Sequence, residues 1–220
     1  MTEQEGVIKY RLAFQAETLS LEPFLLSQLN TSRSILKQLH LIGQEAHRYE
    51  GFGYGNISIR SSENCSEFLI SGTQTGVHEI LSVTDIAYVT EIDTKQNTLC
   101  AKGGTEPSSE AMTHGVLYQL SSNINAVVHV HSPEIWSCSD DLKLAHTAQD
   151  IPYGTPEMAT AVTRLASSLI ALQGLPFIFV MKGHEDGVVV AGKTLEQCTG
   201  LLLELQSKAK AKALAVDNSA

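Results

Sequence analysis

Apolar residues recur along this chain in two rhythms, one alternating and one helical. Short alternating or continuous apolar runs predict strands at "NISIR" (56–60), "EFLIS" (67–71), "IAYVTEI" (86–92), "NAVVHVH" (125–131), "LPFIFVM" (175–181) and "GVVVAG" (187–192). "GVIKYRLAFQ" (6–15) alternates more weakly and predicts a first strand. The helical rhythm places Ile35, Leu36, Leu39, Ile42 and Ala46 on one face of a helix over 32–49, capped by Thr31 or Ser32 and broken by "EGFGYG". Further helices are predicted over 108–120 with Ser108 as cap, briefly after Pro133, over 155–172 with Pro156 in the first turn, and over 194–214 capped by Thr194.

These elements alternate without the even spacing of a doubly wound sheet, and hairpin-like strand pairs recur. The fold class expected is therefore α/β in three layers, a mostly antiparallel central sheet with helices on both faces. The length, 220 residues, suits one domain, with residues 1–30 as an N-terminal extension packed on or beside it. A formal net charge of −9 argues against nucleic acid and anionic membranes as partners, since both reward Lys and Arg. The start of the chain lacks the basic and apolar regions of a signal peptide, and "LPFIFVM" is too short to span a bilayer. Four scattered cysteines contain no CxxC pair, as expected for reduced thiols in a cytoplasmic protein.

The strand at 125–131 carries the first candidate chemistry. His129 and His131 are two residues apart on a strand and so point to the same face, roughly 7 Å apart at the backbone. Imidazoles at that spacing converge on one metal ion, or serve as hydrogen-bonded core histidines. In "KGHEDG", His184 sits in a tight turn between two apolar strands, as a third ligand or as an exposed turn residue. "EPSSEAMTH" places Glu110 in the first turn of a helix with His114 at i+4; the same pattern serves as a helix cap. "GFGYGN" lacks the third glycine of a dinucleotide fingerprint and follows a helix, which argues against a Rossmann turn. Like "SGTQTG", it suits a loop whose backbone N–H groups approach an anion, or a plain connection.

Taken in order, "GNIS" (55–58), "TQTG" (73–76), "PSSE" (107–110), "HVH" (129–131), "GH" (183–184) and "VVVAG" (188–192) resemble the class II aldolase/adducin family, which includes L-fuculose-phosphate aldolases. The resemblance covers residues 32–213. It implies that His129, His131 and His184 hold zinc, one ion per subunit, or a similar divalent metal, and that Glu110 is the catalytic acid/base. It implies that Gly55, Asn56, Thr75, Gly76, Ser108 and Ser109 hold a substrate phosphate. The implied activity is a metal-dependent lyase that makes or breaks a carbon–carbon bond in a small phosphorylated hydroxy-ketone through a metal-stabilised enediolate. The implied assembly is a homotetramer, to which the apolar "GLLLELQ" of the last helix adds a hint.

Other family activities remain open at this point. A sugar-phosphate 4-epimerase usually carries Asp at the position of Glu110; a methylthioribulose-phosphate dehydratase keeps the Glu and the three histidines. An adducin-like scaffold lacks an intact metal site. The aldolases also use tyrosines from a longer segment after the histidine pair and from a C-terminal tail. Here no tyrosine follows Tyr153, which reads as a neighbour of "GTPEMA", and Tyr118 or His146 are the candidate substitutes.

Overall fold

A computed structural model describes residues 5–62 and 65–217; the first four residues of the N-terminal extension lie outside it. The elements in chain order are β1 (Arg11–Ala16), α1 (Pro23–Gln38), β2 (Gly43–Gln44), β3 (Gly53–Tyr54), β4 (Asn56–Arg60), β5 (Phe68–Ser71), β6 (Ile86–Asp93) and β7 (Thr98–Gly103). They continue with α2 (Ala111–Leu120), β8 (Ala126–His131), α3 (Pro133–Ser137), β9 (Ala145–His146), α4 (Pro156–Gln173), β10 (Phe177–Val180), β11 (Gly187–Gly192) and α5 (Leu195–Asp217). Among the described residues, nine strands form one sheet in the order β1-β7-β6-β5-β4-β8-β11-β10-β9. Its interior pairings are antiparallel, and the outer pairs β1–β7 and β9–β10 run parallel. The fold is α/β, as expected.

Strand alternation divides the core in two. Val127 and Val189 face α2 and α4, packing with Met112, Val116, Met158 and Val162. Val128, Val130, Val188 and Val190 face the other way, onto Leu29 and Leu36 of α1, Ile135 of α3 and Leu202 and Leu205 of α5. Strands buried on both faces explain the near-continuous apolar runs of β8, β10 and β11. No helix is long and apolar enough to cross a membrane among the described residues.

Several boundaries differ from expectation. α1 starts nine residues earlier than the predicted helix, with Pro23 in its first turn and Glu22 as N-cap, and stops at Gln38. His40 then takes a positive φ of 58°, so the apparent helical face over 39–49 is a turn, a two-residue strand and a 3-10 turn. Ile35 is consequently half-exposed, whereas Arg33 is buried. β7 has no counterpart among the predicted strands: Leu99, Ala101 and Gly103 alternate inward, but "TLCAKG" is poor in β-branched and aromatic residues. α2 begins at Ala111, which makes Glu110 its N-cap residue rather than a first-turn residue, and Ser108 precedes the cap. Of the four cysteines, all free, only Cys198 is fully buried.

His114 follows Glu110 by one helical turn, its N–H donating to Glu110 O at 3.2 Å. The His114 ring turns to β4, where Nδ1 is 2.6 Å from Ser58 Oγ, itself 2.8 Å from the Tyr118 hydroxyl. Burial drives the His114 pKa down to about 3, so it stays neutral in the fold. The unfolded chain protonates it near its ordinary pKa. Its stabilising contribution is therefore complete above about pH 6.5 and shrinks as pH falls towards about 3. His114→Gln should flatten the pH dependence of the metal-free protein's urea stability in that window by up to ~1.4 kcal/mol per pH unit. An unchanged slope contradicts the assignment.

Candidate metal centre and anion cleft

The candidate site lies where β4, β8 and β11 end side by side. In register, His129 faces Asn56 on one neighbouring strand and Val189 on the other, while His131 faces Gly187. Both rings lie on the α2/α4 side, and neither is exposed. The β10–β11 turn is closed by bonds from the N–H of His184 to Met181 O and from the N–H of Gly187 to His184 O, at 3.0 Å each. That turn carries His184 over the end of the sheet. The three rings meet with centroids 4.8–5.1 Å apart. Their candidate ligand nitrogens all lie within 4.8 Å of one another, and the Nε2 atoms of His129 and His131 are 3.2 Å apart. His129 Nδ1 is 3.2 Å from Val188 O. As a donor to that carbonyl it fixes the tautomer whose Nε2 lone pair faces the centre.

Burial, then the neighbouring cationic forms of the other rings, pushes the His129 and His131 pKa values well down; Arg48 adds to this at His131. Both are neutral, as a metal ligand must be. His184 is different. Burial opposes its charged form, but the Glu5 carboxylate and then Glu110 outweigh burial and raise its pKa. Glu5 Oε2 is 2.8 Å from His184 Nε2. Glu110 lies on the other side of the same ring, with Oε1 3.7 Å from Nδ1. Burial raises the Glu110 pKa, with His184 and then a hydrogen bond from the Thr113 side chain acting in opposition.

The donor set fits a divalent transition metal. Three buried imidazoles bring ligand nitrogens within 4.8 Å of one another, His129 and His131 meeting through Nε2. Nitrogen donors suit zinc and its neighbours, whereas magnesium and calcium take oxygen.

Beside this centre, Gly55, Asn56, Thr75, Gly76, Ser108 and Ser109 line one cleft, together with Gly53, Gln74, Glu5 and Gly6. Asn56 Nδ2 donates to Ser108 Oγ at 2.7 Å, tying the start of β4 to the segment before α2. The free volume is about 20 Å³, one water molecule's worth, because the Gln74 side chain lies across it and accepts from the N–H of Gly53 at 2.9 Å. Behind the loop, the buried Arg33 guanidinium donates to the carbonyls of Thr75 (3.0 Å) and Glu79 (3.2 Å). Its charge also faces the carboxylates of Glu79 and Asp85. A larger cavity of about 490 Å³ opens next to His184 and is lined by Arg48, Tyr49, Tyr153, Glu185 and Asp186.

The residues expected to hold metal, proton and phosphate are therefore gathered in one region. Sequence reasoning missed the aromatic walls and Glu5. Tyr153 stacks on His184 with centroids 4.4 Å apart, and Tyr49 packs edge-on against His131 at 4.7 Å. The two suggested substitutes for the family tyrosines lie elsewhere: Tyr118 is buried against Phe68 and Ser58, and His146 is exposed beside Asp140. Arg33 was hidden as a charged residue on what reads as a solvent face.

Comparisons with known proteins identify the family and the fold. The family model for the class II aldolase and adducin N-terminal domain matches residues 41–213. The 3-oxo-tetronate 4-phosphate decarboxylase of Haemophilus influenzae is 28% identical over 177 residues, 72% of this chain and 76% of that protein. The L-fuculose-1-phosphate aldolase of Thermus thermophilus superposes with a TM-score of 0.61 at 18% identity, covering 88% of this chain and 95% of the other. A sugar-phosphate aldolase of Thermotoga maritima gives 0.67 at 14% identity, covering 90% and 97%. At these identities the two structures share the fold.

The His184 turn has little freedom. A Cβ on Gly183 would fall 1.8 Å from the carbonyl oxygen of Ile151, a backbone atom that cannot swing aside. Gly183→Ala should lower stability by about 1–3 kcal/mol and reduce zinc uptake by the metal-free protein. Gly200→Ala, where a Cβ meets open space, should do neither. Urea midpoints and bound-metal analysis check both; parental zinc uptake by Gly183→Ala would contradict a rigidly placed His184.

Proposed function

The chain belongs to the class II aldolase and adducin family, and from that premise we propose that it is a zinc-dependent lyase breaking or forming a carbon–carbon bond beside a carbonyl in a small phosphorylated hydroxy-ketone. One observation carries the reading: three buried imidazoles converge beside a buried carboxylate, 3.7 Å from one of them, whose pKa burial has raised. His129, His131 and His184 would hold the ion. When bound, a divalent ion supplies Lewis acidity that draws charge from substrate oxygens next to the breaking bond.

The remaining work falls to the chain. Burial raises the Glu110 pKa above the usual carboxyl range, so it can hold a proton and release it to a substrate atom. Gly55, Asn56, Thr75, Gly76, Ser108 and Ser109 hold the phosphate through backbone N–H groups and hydroxyls, with Arg33 behind them. A phosphate needs more than the present volume, and rotation of the Gln74 side chain off Gly53 supplies both space and a free N–H donor. Tyr153 and Tyr49 wall the histidines and keep water from them. The reading includes a cytoplasmic homotetramer, supported by four free cysteines and by Leu203, 39% exposed on α5.

A second reading shares the same site. The Haemophilus influenzae relative is a decarboxylase of a 3-oxo acid phosphate. Loss of carbon dioxide next to a carbonyl also breaks a carbon–carbon bond and also needs the resulting carbon protonated.

The test is a panel of ketose 1-phosphates and 3-oxo acid phosphates offered to the zinc-loaded protein, with aldehyde and carbon dioxide as readouts. Release of aldehyde supports the aldolase, and carbon dioxide supports the second reading. Glu110→Gln should lower kcat by about 10²–10⁴-fold with zinc content unchanged. Full activity in that variant would remove Glu110 from the chemistry.

A further inference from the structure

We propose that Glu5, from the segment ahead of β1, is a fourth protein ligand to the metal held by the three histidines. This rests on the metal-centre reading above and adds to it a residue that lies outside the 41–213 family match.

The segment is seated along its length. Gly6 packs under the Gln74 side chain, where a Cβ would come within 2.4 Å of Nε2, and its φ is +74°. Lys9 Nζ sits 3.6 Å over the Tyr153 ring and donates to Tyr153 O at 3.2 Å. The Tyr10 hydroxyl donates to Ser108 O at 2.9 Å. The chain then enters β1, paired with β7. Glu5 is thus carried to the histidines on anchored backbone, and its side chain is only 9% exposed.

Its carboxylate stands at the convergence of the rings. Oε2 is 2.8 Å from His184 Nε2 and Oε1 is 3.7 Å from His131 Nε2, while the Nε2 atoms of His129 and His131 are 3.2 Å apart. Ligands about 2.0–2.2 Å from a tetrahedral zinc are separated from each other by about 3.3–3.6 Å. These three separations bracket that range, and the histidine ligand nitrogens, all within 4.8 Å of one another, draw closer to share an ion.

The two carboxylates take different places. Glu110 faces Nδ1 of His184, the nitrogen turned away from Glu5. Glu5 faces the nitrogens that point inward. That division gives the ion one negative ligand and leaves Glu110 free to move protons. Zinc with four protein ligands still admits a substrate oxygen by expanding to five.

Cobalt(II) is the probe. Full-length metal-free protein, Glu5→Gln and Glu5→Asp are titrated with cobalt(II), following visible absorption and competition with a chelator. The expected result is one ion per chain for the parent, with affinity about tenfold or more weaker and a shifted absorption band in Glu5→Gln. Glu5→Asp, which keeps the charge on a shorter stem, should lie between. Equal affinity and an unchanged band in Glu5→Gln would overturn the ligand alone, with the three-histidine centre intact. Tighter binding would overturn it too, marking Glu5 as a group that the ion must displace. A parent that takes up no cobalt would overturn the centre and the ligand together.

Discussion

Three imidazoles, two of them kept neutral by burial and all held with nitrogens facing one another, are the constraint around which this molecule is arranged. Burial pushes two of the rings to their neutral form, and the three bring ligand nitrogens within 4.8 Å of one another. Nothing in that arrangement favours a fold by itself. It has to be supported by the apolar faces of β8, β10 and β11 and by the helices that cover both sides of the sheet. The strands place two rings by simple alternation; one tight turn places the third.

The same desolvation separates the roles of the charged groups. Arg33 sits behind the anion cleft and gives its hydrogens to loop carbonyls, so the positive charge acts at a distance rather than as a direct contact. Glu110 is deep enough for its pKa to rise, while Glu5 meets the imidazoles and is drawn to the ionised form by His184 and His129 against the effect of burial.

How much of this was legible in the sequence follows from how local each determinant is. Strand period two forces His129 and His131 together whatever the rest of the chain does, and double-faced apolar runs betray the central strands. Glu110, Asn56 and Ser108 come together only through the register of β4 against β8 and the start of α2, which motif order anticipated but periodicity did not. Glu5 and Tyr153 were invisible as site residues because tertiary path alone brings them to His184: one lies in a stretch without rhythm, the other in a connection. The end of α1 is not legible in the pattern, because Leu39 and Ile42 continue its apolar stripe although His40 has already left helical space. β7 was hidden by weak strand formers whose burial pattern, not composition, makes them a strand.

The central question is whether the three rings bind one ion together. X-ray absorption at the zinc edge, on zinc-loaded full-length protein, tests that most directly. The prediction is a first shell of nitrogen and oxygen at about 2.0–2.1 Å with the outer-shell scattering of several imidazoles, lost when His131 is replaced by Ala. Zinc absent, or bound without an imidazole signature, would contradict it.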